Sequence, residues 1–179
     1  MQEIRVILVD DDDNELGTMP KLEAHQKGVL HRAVSVFLFD LDGNWLLQKR
    51  AAEKYHSANL WTNTCCSHPY PNEDTKKAAE RRLVEEMGIQ SELTKVLSFV
   101  YRAELENGLI EHEFDHVFIG FTADLPSPNK DEVSDWKILS FEAIDNEVQI
   151  YPEQFTEWFK LIYRKINLHL ELNKIHVKN

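Results

Sequence analysis

The stretch Thr62–Asp74 reads TNTCCSHPYPNED and holds both cysteines of the chain, Cys65 and Cys66, with His68 close behind. A thiol pair next to an imidazole suits a structural pair, a metal site or an acid–base centre. Adjacent cysteines seldom ligate one tetrahedral ion together, and no CxxC partner occurs. A second group comprises His25, His31 and the carboxylates Glu111 and Glu113 on either side of His112. In a strand, residues two apart face the same side, so Glu111 and Glu113 can reach one point. Imidazoles and carboxylates such as His25, His31, His68, Glu111 and Glu113 suit a divalent transition ion. Their spacing is not compact, so on these residues alone metal binding and ordinary polar roles both stay open. His56, His112, His116, His169 and His176 read as ordinary polar or half-buried residues. A third group, Arg81, Arg82, Glu85 and Glu86, forms one charged stretch in which Glu–Arg pairs at helical spacing give modest local support.

These groups need elements to position them. Val6–Val9 reads as a strand, and Asp10–Asp13 with Asn14 and Gly17 as a turn. AVSVFLFD (Ala33–Asp40) and NWLLQKR (Asn44–Arg50) read as a hairpin joined through DLDG. NLWTNTCC (Asn59–Cys66) reads as one short strand. From Glu73 to Met87 the apolar period becomes helical, with Ala78, Ala79, Leu83 and Met87 in step and Gly88 as the stop. Leu93–Leu105 and His112–Leu125 read as strands joined by a turn at Glu106–Leu109. PSPNKDE (Pro126–Glu132) is a loop and Asp135–Phe141 a strand. Phe155, Trp158, Phe159, Ile162 and Ile166 mark a long amphipathic helix from Pro152 to about Leu172. The expected fold is α+β, a mixed sheet packed between helices with a long C-terminal helix, in a single domain spanning 1–179.

The chain has 179 residues, 42% of them apolar, and a formal net charge of −11. That charge disfavours general attraction to nucleic acid or acidic membranes. It leaves room for a small anion held by a local cluster of Lys and Arg. No apolar run approaches the length of a membrane span. The first residues lack signal-peptide character and cysteines are few, so the expected compartment is the cytoplasm. Monomer and weak homodimer both remain open.

The helix carries a more specific order. Glu73, Arg81, Leu83, Glu85, Glu86, Gly88 and Ile89 fall in register with the Nudix box, which this segment resembles. Ser67 stands where the box opens with Gly, and Arg82 stands where it has Glu. A carboxylate lost and an arginine gained weaken the case for Nudix pyrophosphate hydrolysis and favour a diphosphate clamp. With WTNTCCSHP, the His25/His31 pair, YRA…EHE and TEW, nearly the whole chain resembles type I isopentenyl diphosphate isomerase. The resemblance implies a Nudix-like fold and conversion of isopentenyl diphosphate to dimethylallyl diphosphate. A Nudix-type hydrolase of a nucleoside or isoprenoid diphosphate is the alternative.

The resemblance also implies roles. Cys66 matches the catalytic cysteine, Glu113 the catalytic glutamate and Tyr101 the tyrosine that assists it, while Cys65 takes a variable packing place. His25, His31, His68, Glu111 and Glu113 match the ligands of Mn²⁺ or Zn²⁺. Glu86 and the backbone carbonyl of Cys66 match the contacts to Mg²⁺. Lys21, Arg50, Lys54 and Arg82 match the diphosphate clamp, and Trp158 the indole facing the isoprenoid cation. The chemistry needs an acid and a base at opposite ends of a short carbon chain, with water excluded from a tertiary cation. The expected arrangement has the Glu113/Tyr101 side donating and the Cys66 thiolate abstracting, with exchanged roles in reverse.

Overall fold

Alternation of side chains along β-strands builds this protein from the middle outward, in a computed structural model that describes residues 3–173. His176 lies outside the described residues. The elements in chain order are β1 (Arg5–Val9), β2 (Glu15–Pro20), α1 (Lys21–Lys27), β3 (His31–Phe39), β4 (Trp45–Arg50), β5 (Trp61–Thr62), β6 (Cys65–Ser67), α2 (Thr75–Met87), β7 (Thr94–Glu104), β8 (Ile110–Phe121), β9 (Val133–Leu139), α3 (Phe141–Ile150) and α4 (Glu157–Leu172). Strand β3 is the centre. Along one edge it runs parallel to β8, from His31 opposite Glu113 to Phe39 opposite Phe121. Its other edge is shared in succession by β1 at His31, β6 at Val34–Val36 and β4 at Leu38–Phe39.

Successive residues of β3 face opposite sides of the sheet. Phe37 and Phe39 join Trp45, Leu47, Val117 and Ile119 under Ile144 and Val148 of α3 and Phe159, Ile162 and Ile166 of α4. Val34, Val36 and Leu38 join Leu46 and Phe118 under Ala79, Leu83 and Met87 of α2. The sheet is mixed and lies between helices, as the sequence predicts.

Helix α2 begins where Asp74 caps the backbone N–H groups of Lys76 and Lys77. It ends at Gly88, whose φ of +68° and close neighbour, the Ser127 carbonyl oxygen 2.6 Å from a would-be Cβ, both demand glycine. The loop beyond donates Ser127 N to the Met87 carbonyl and Asn129 N to the Glu86 carbonyl, each at 2.9 Å. These bonds satisfy carbonyls that a helix end leaves unpaired.

Several boundaries differ from expectation. β2, α1 and α3 arise where no element is expected. The Ala33–Asp40/Asn44–Arg50 hairpin turns at DLDG, but its strands pair only at Leu38–Leu46 and Phe39–Trp45, because β6 and β1 take the rest of that edge. The single strand over Asn59–Cys66 is two short ones, parted at Asn63–Thr64. α4 starts at Glu157, after a 3₁₀ turn at Pro152–Gln154, so Phe155 precedes the helix and bridges to Trp61 instead.

Candidate active site

The same alternation gives β8 a polar row. Glu111, Glu113 and Asp115 are all buried. Tyr101 of β7 lies opposite Glu113 in register. Its phenol oxygen is 2.9 Å from Glu111 Oε2 and 2.6 Å from Glu113 Oε2, bridging the two carboxylates. Burial and then the Glu113 charge hold the Glu111 carboxyl well above the usual carboxylate range. Burial presses Glu113 the same way, but its contacts with His31 and His68 prevail and hold it well below that range.

His31 starts β3 directly beside Glu113. Its Nδ1–H donates to the Val29 carbonyl at 2.8 Å, and His25 Nδ1–H donates to the Lys21 carbonyl at 2.7 Å. Carbonyls only accept, so both rings carry Nδ1–H on the carbonyl side and turn Nε2 to the interior. His31 Nε2 stands 3.2 Å from His68 Nε2, which is 2.8 Å from Glu113 Oε1. His25 Nε2 is buried with no partner. Ligand atoms of His25, His31, His68 and Glu113 all lie within 4.8 Å of one another. Imidazole nitrogens converging on a carboxylate, one of them orphaned, fit a divalent metal ion. Burial, then the neighbouring His31, lowers the His25 pKa to about 4, so its nitrogen is free of a competing proton at neutral pH.

Cys66 sits on β6 opposite Ser35. Burial pushes its thiol up to about 12; Arg50 opposes this, and Glu86, Glu111 and Glu113 reinforce it. Arg50 Nη1 is 4.0 Å from Cys66 Sγ, while Nε and Nη2 donate to the carbonyls of Ser57 and His56. The same guanidinium lies 5.3 Å from the centre of the Trp158 ring. Trp158 Nε1–H donates to Asn63 Oδ1 at 3.2 Å, and Asn63 Nδ2 donates to the carbonyl before Cys66, that of Cys65, at 2.6 Å.

The sequence-predicted residues Lys21, Arg50, Lys54, Arg82, Glu86, Cys66, His68, Tyr101, Glu111, Glu113 and Trp158 line one cleft. His25 and His31 lie fully buried, with His31 against His68 and Glu113 of its wall. Glu86 is fixed by Gln48 Nε2 at 2.9 Å and Arg82 Nη2 at 2.6 Å. Glu132 pairs with both Lys54 and Arg82, holding two of the cations at the cleft. Glu73 and Arg81 form a two-pronged ion pair at 2.7 Å, tying the loop before α2 to the helix.

Sequence reasoning did not single out Asn63, Gln48, Asp115 or Glu132, and it placed His56 among the ordinary histidines. His56 instead lines the cleft. Burial, then Arg50 and Lys21, lowers its pKa to about 2. Asp115 accepts from Ser35 Oγ at 2.7 Å, and its Oδ1 is buried without a partner. Burial and Glu113 raise its pKa to about 8. The one available signal for Asp115 is its parity with Glu111 and Glu113.

A NUDIX domain family model matches residues 29–159. An isopentenyl-diphosphate Delta-isomerase of Pectobacterium atrosepticum is 52% identical over 161 residues, 90% of each chain. Isopentenyl-diphosphate Delta-isomerase 2 of Photorhabdus laumondii is 54% identical over 162 residues, 90% of this chain and 91% of that one. Among solved structures, a Deinococcus radiodurans protein matches with a TM-score of 0.73 at 17% identity, covering 89% of this chain and 98% of that one, a likeness in fold.

Proposed function

We propose a residue-level mechanism for this chain, which belongs to the isopentenyl-diphosphate Delta-isomerase family and is built on a NUDIX domain. It interconverts isopentenyl diphosphate and dimethylallyl diphosphate. The observation that supports the assignment of roles is the cleft itself: a hydroxyl-bridged carboxylate pair, a thiol and an indole line it together with a cluster of cations.

Lys21, Arg50, Lys54 and Arg82 bind the diphosphate. Fixed cations here answer a dense local negative charge despite the net −11 of the chain. The Glu113/Tyr101 side adds a proton to the terminal alkene carbon, leaving a tertiary cation. The Trp158 face stabilises that cation by roughly 0.5–2 kcal/mol. Cys66 then takes a proton from the carbon between the cation and the CH₂ that bears the diphosphate, and the double bond forms there. One proton enters and one leaves, so charge and atoms balance. Burial of the cleft keeps water from the cation.

His25, His31, His68, Glu111 and Glu113 would hold Mn²⁺ or Zn²⁺, and Glu86 with the Cys66 carbonyl would hold Mg²⁺. When bound, the first would orient Glu113 and the second would neutralise diphosphate oxygens.

The resting proton pattern of the residues, thiol at Cys66 and carboxylate at Glu113, starts the reaction from the dimethylallyl side. Starting from isopentenyl diphosphate needs the tautomer with that proton moved across. Arg50, beside Cys66 Sγ, is the residue that favours the thiolate. The two forms carry the same number of protons, so both directions share one pH profile.

The test is incubation with isopentenyl diphosphate, Mg²⁺ and Mn²⁺ in deuterated water. The expected product is dimethylallyl diphosphate carrying deuterium in its new methyl group. Release of phosphate or pyrophosphate without isomer would favour the hydrolase alternative.

A further inference from the structure

His56 is 4% exposed, and the chain distorts to place it. The next residue, Ser57, has a φ of +49°, and Asn59 has +61°, both in the left-handed region for non-glycine residues. Such conformations persist only where surrounding contacts impose them. Here Arg50 donates to the His56 carbonyl at 3.1 Å and to the Ser57 carbonyl at 3.0 Å, and Glu106 accepts from Ser57 N. The imidazole stacks on that of His25, with ring centres 5.6 Å apart and planes at 29°.

Ligand-capable atoms of His25, His56 and Glu111 form a second set within 4.8 Å of one another. This set shares His25, whose Nε2 is buried without a partner, with the set containing His31, His68 and Glu113. Tyr101 joins the two halves by bridging Glu111 and Glu113 through their Oε2 atoms. Their other oxygens face different imidazoles: Glu113 Oε1 faces His68 and His31, and Glu111 Oε1 faces His56. His56 Nε2 stands 3.7 Å from Glu111 Oε1. That is beyond hydrogen-bond reach. It is close to the roughly 3–3.5 Å that separates neighbouring ligand atoms each about 2.1 Å from one ion.

We propose that His56 is a fourth imidazole ligand of the transition-metal centre, entering on the Glu111 side. This rests on the reading above that Glu111 and Glu113 share one metal ion. When bound, the ion would orient Glu113. Its nitrogen-rich shell favours Zn²⁺ or Co²⁺ over Mg²⁺.

The test counts imidazoles in the full chain, labelled with ¹⁵N at histidine and loaded with Co²⁺. Ligated rings show hyperfine-shifted nitrogens. Four shifted rings are expected in the unmodified protein. His56→Gln is expected to leave three and to weaken Co²⁺ binding by about 10–100-fold, measured by chelator competition. Three shifted rings in the unmodified protein overturn the proposal while leaving the metal reading intact, and no shifted ring overturns both. The count on the unmodified protein decides the matter even if His56→Gln misfolds.

Discussion

At the scale of single residues, the mechanism rests on a thiol and a carboxylate with distinct protonation. Cys66→Ala is expected to lower kcat by about 10²–10⁴-fold with little change in KM, the usual worth of a positioned acid or base. Glu113→Gln is expected to fall in the same range, and near-full turnover by either variant would remove that residue from the mechanism. Asn63 offers a test of positioning. It holds the Trp158 indole through Oδ1 and the Cys65 carbonyl through Nδ2. Asn63→Asp keeps the acceptor and loses the donor, so it separates the two tasks. A slower turnover in Asn63→Asp with unchanged Trp158 fluorescence would assign the loss to the strand that bears Cys66. Residue types and strand parity single out Cys66, His25, His31, His68, Glu111 and Glu113, the resemblance supplies the roles, and burial explains why their companions are silent. Nothing in KYHS says that His56 turns inward, and beyond its parity with Glu113 nothing in EFDH says that Asp115 is 1% exposed.

At the scale of elements, legibility followed local signal. Helix α2 carries a cap, a clear apolar period and a stop, and its reading misplaced only the start, by two residues against the observed Thr75. Helix α1 has seven residues and no side-chain cap, and β2 is an ELGTMP edge with no fully buried residue, so neither has a pattern to read. Helix α3 does carry the signal of a cap, Ser140 accepting from Ala143 N, but it follows β9 after one residue, and the expected strand runs through that cap to Phe141 and leaves 142–150 without an element. Gly88 sets the loop that carries Glu132 to Lys54 and Arg82. Gly88→Ala must place a Cβ 2.6 Å from the Ser127 carbonyl oxygen at a φ of +68°. The expected cost is about 1–3 kcal/mol in urea unfolding, with KM for the diphosphate raised as the loop shifts. An unchanged midpoint would mean that the loop gives way freely.

At the scale of the whole molecule, one sheet serves two purposes, and its pH dependence follows. Asp115 is pushed up to about 8 by burial and by the neighbouring Glu113 charge, against an ordinary 3.8. Between those values the folded chain holds a proton that the unfolded chain lacks, so this residue lowers stability as pH rises through that window. Asp115→Asn is expected to flatten the decline of Tm between about pH 5 and about pH 8 in metal-free protein. Parallel curves would show that Asp115 titrates alike in both states. We propose that residues 1–179 unfold as one cooperative unit, since β3 serves both cores; two separate calorimetric transitions would refute this.

The two-sided sheet also separates the adjacent cysteines. Cys65 packs on the α2 side and Cys66 on the α4 side. Burial holds both thiols uncharged, Cys65 well above its usual value. Peroxides and alkylating reagents attack thiolates. On the proposed mechanism, the resting protein therefore carries the Cys66 sulfur in a dormant form, with no second thiol on its own side to trap it. Its chemistry is exposed to damage only during the moments when it is in use.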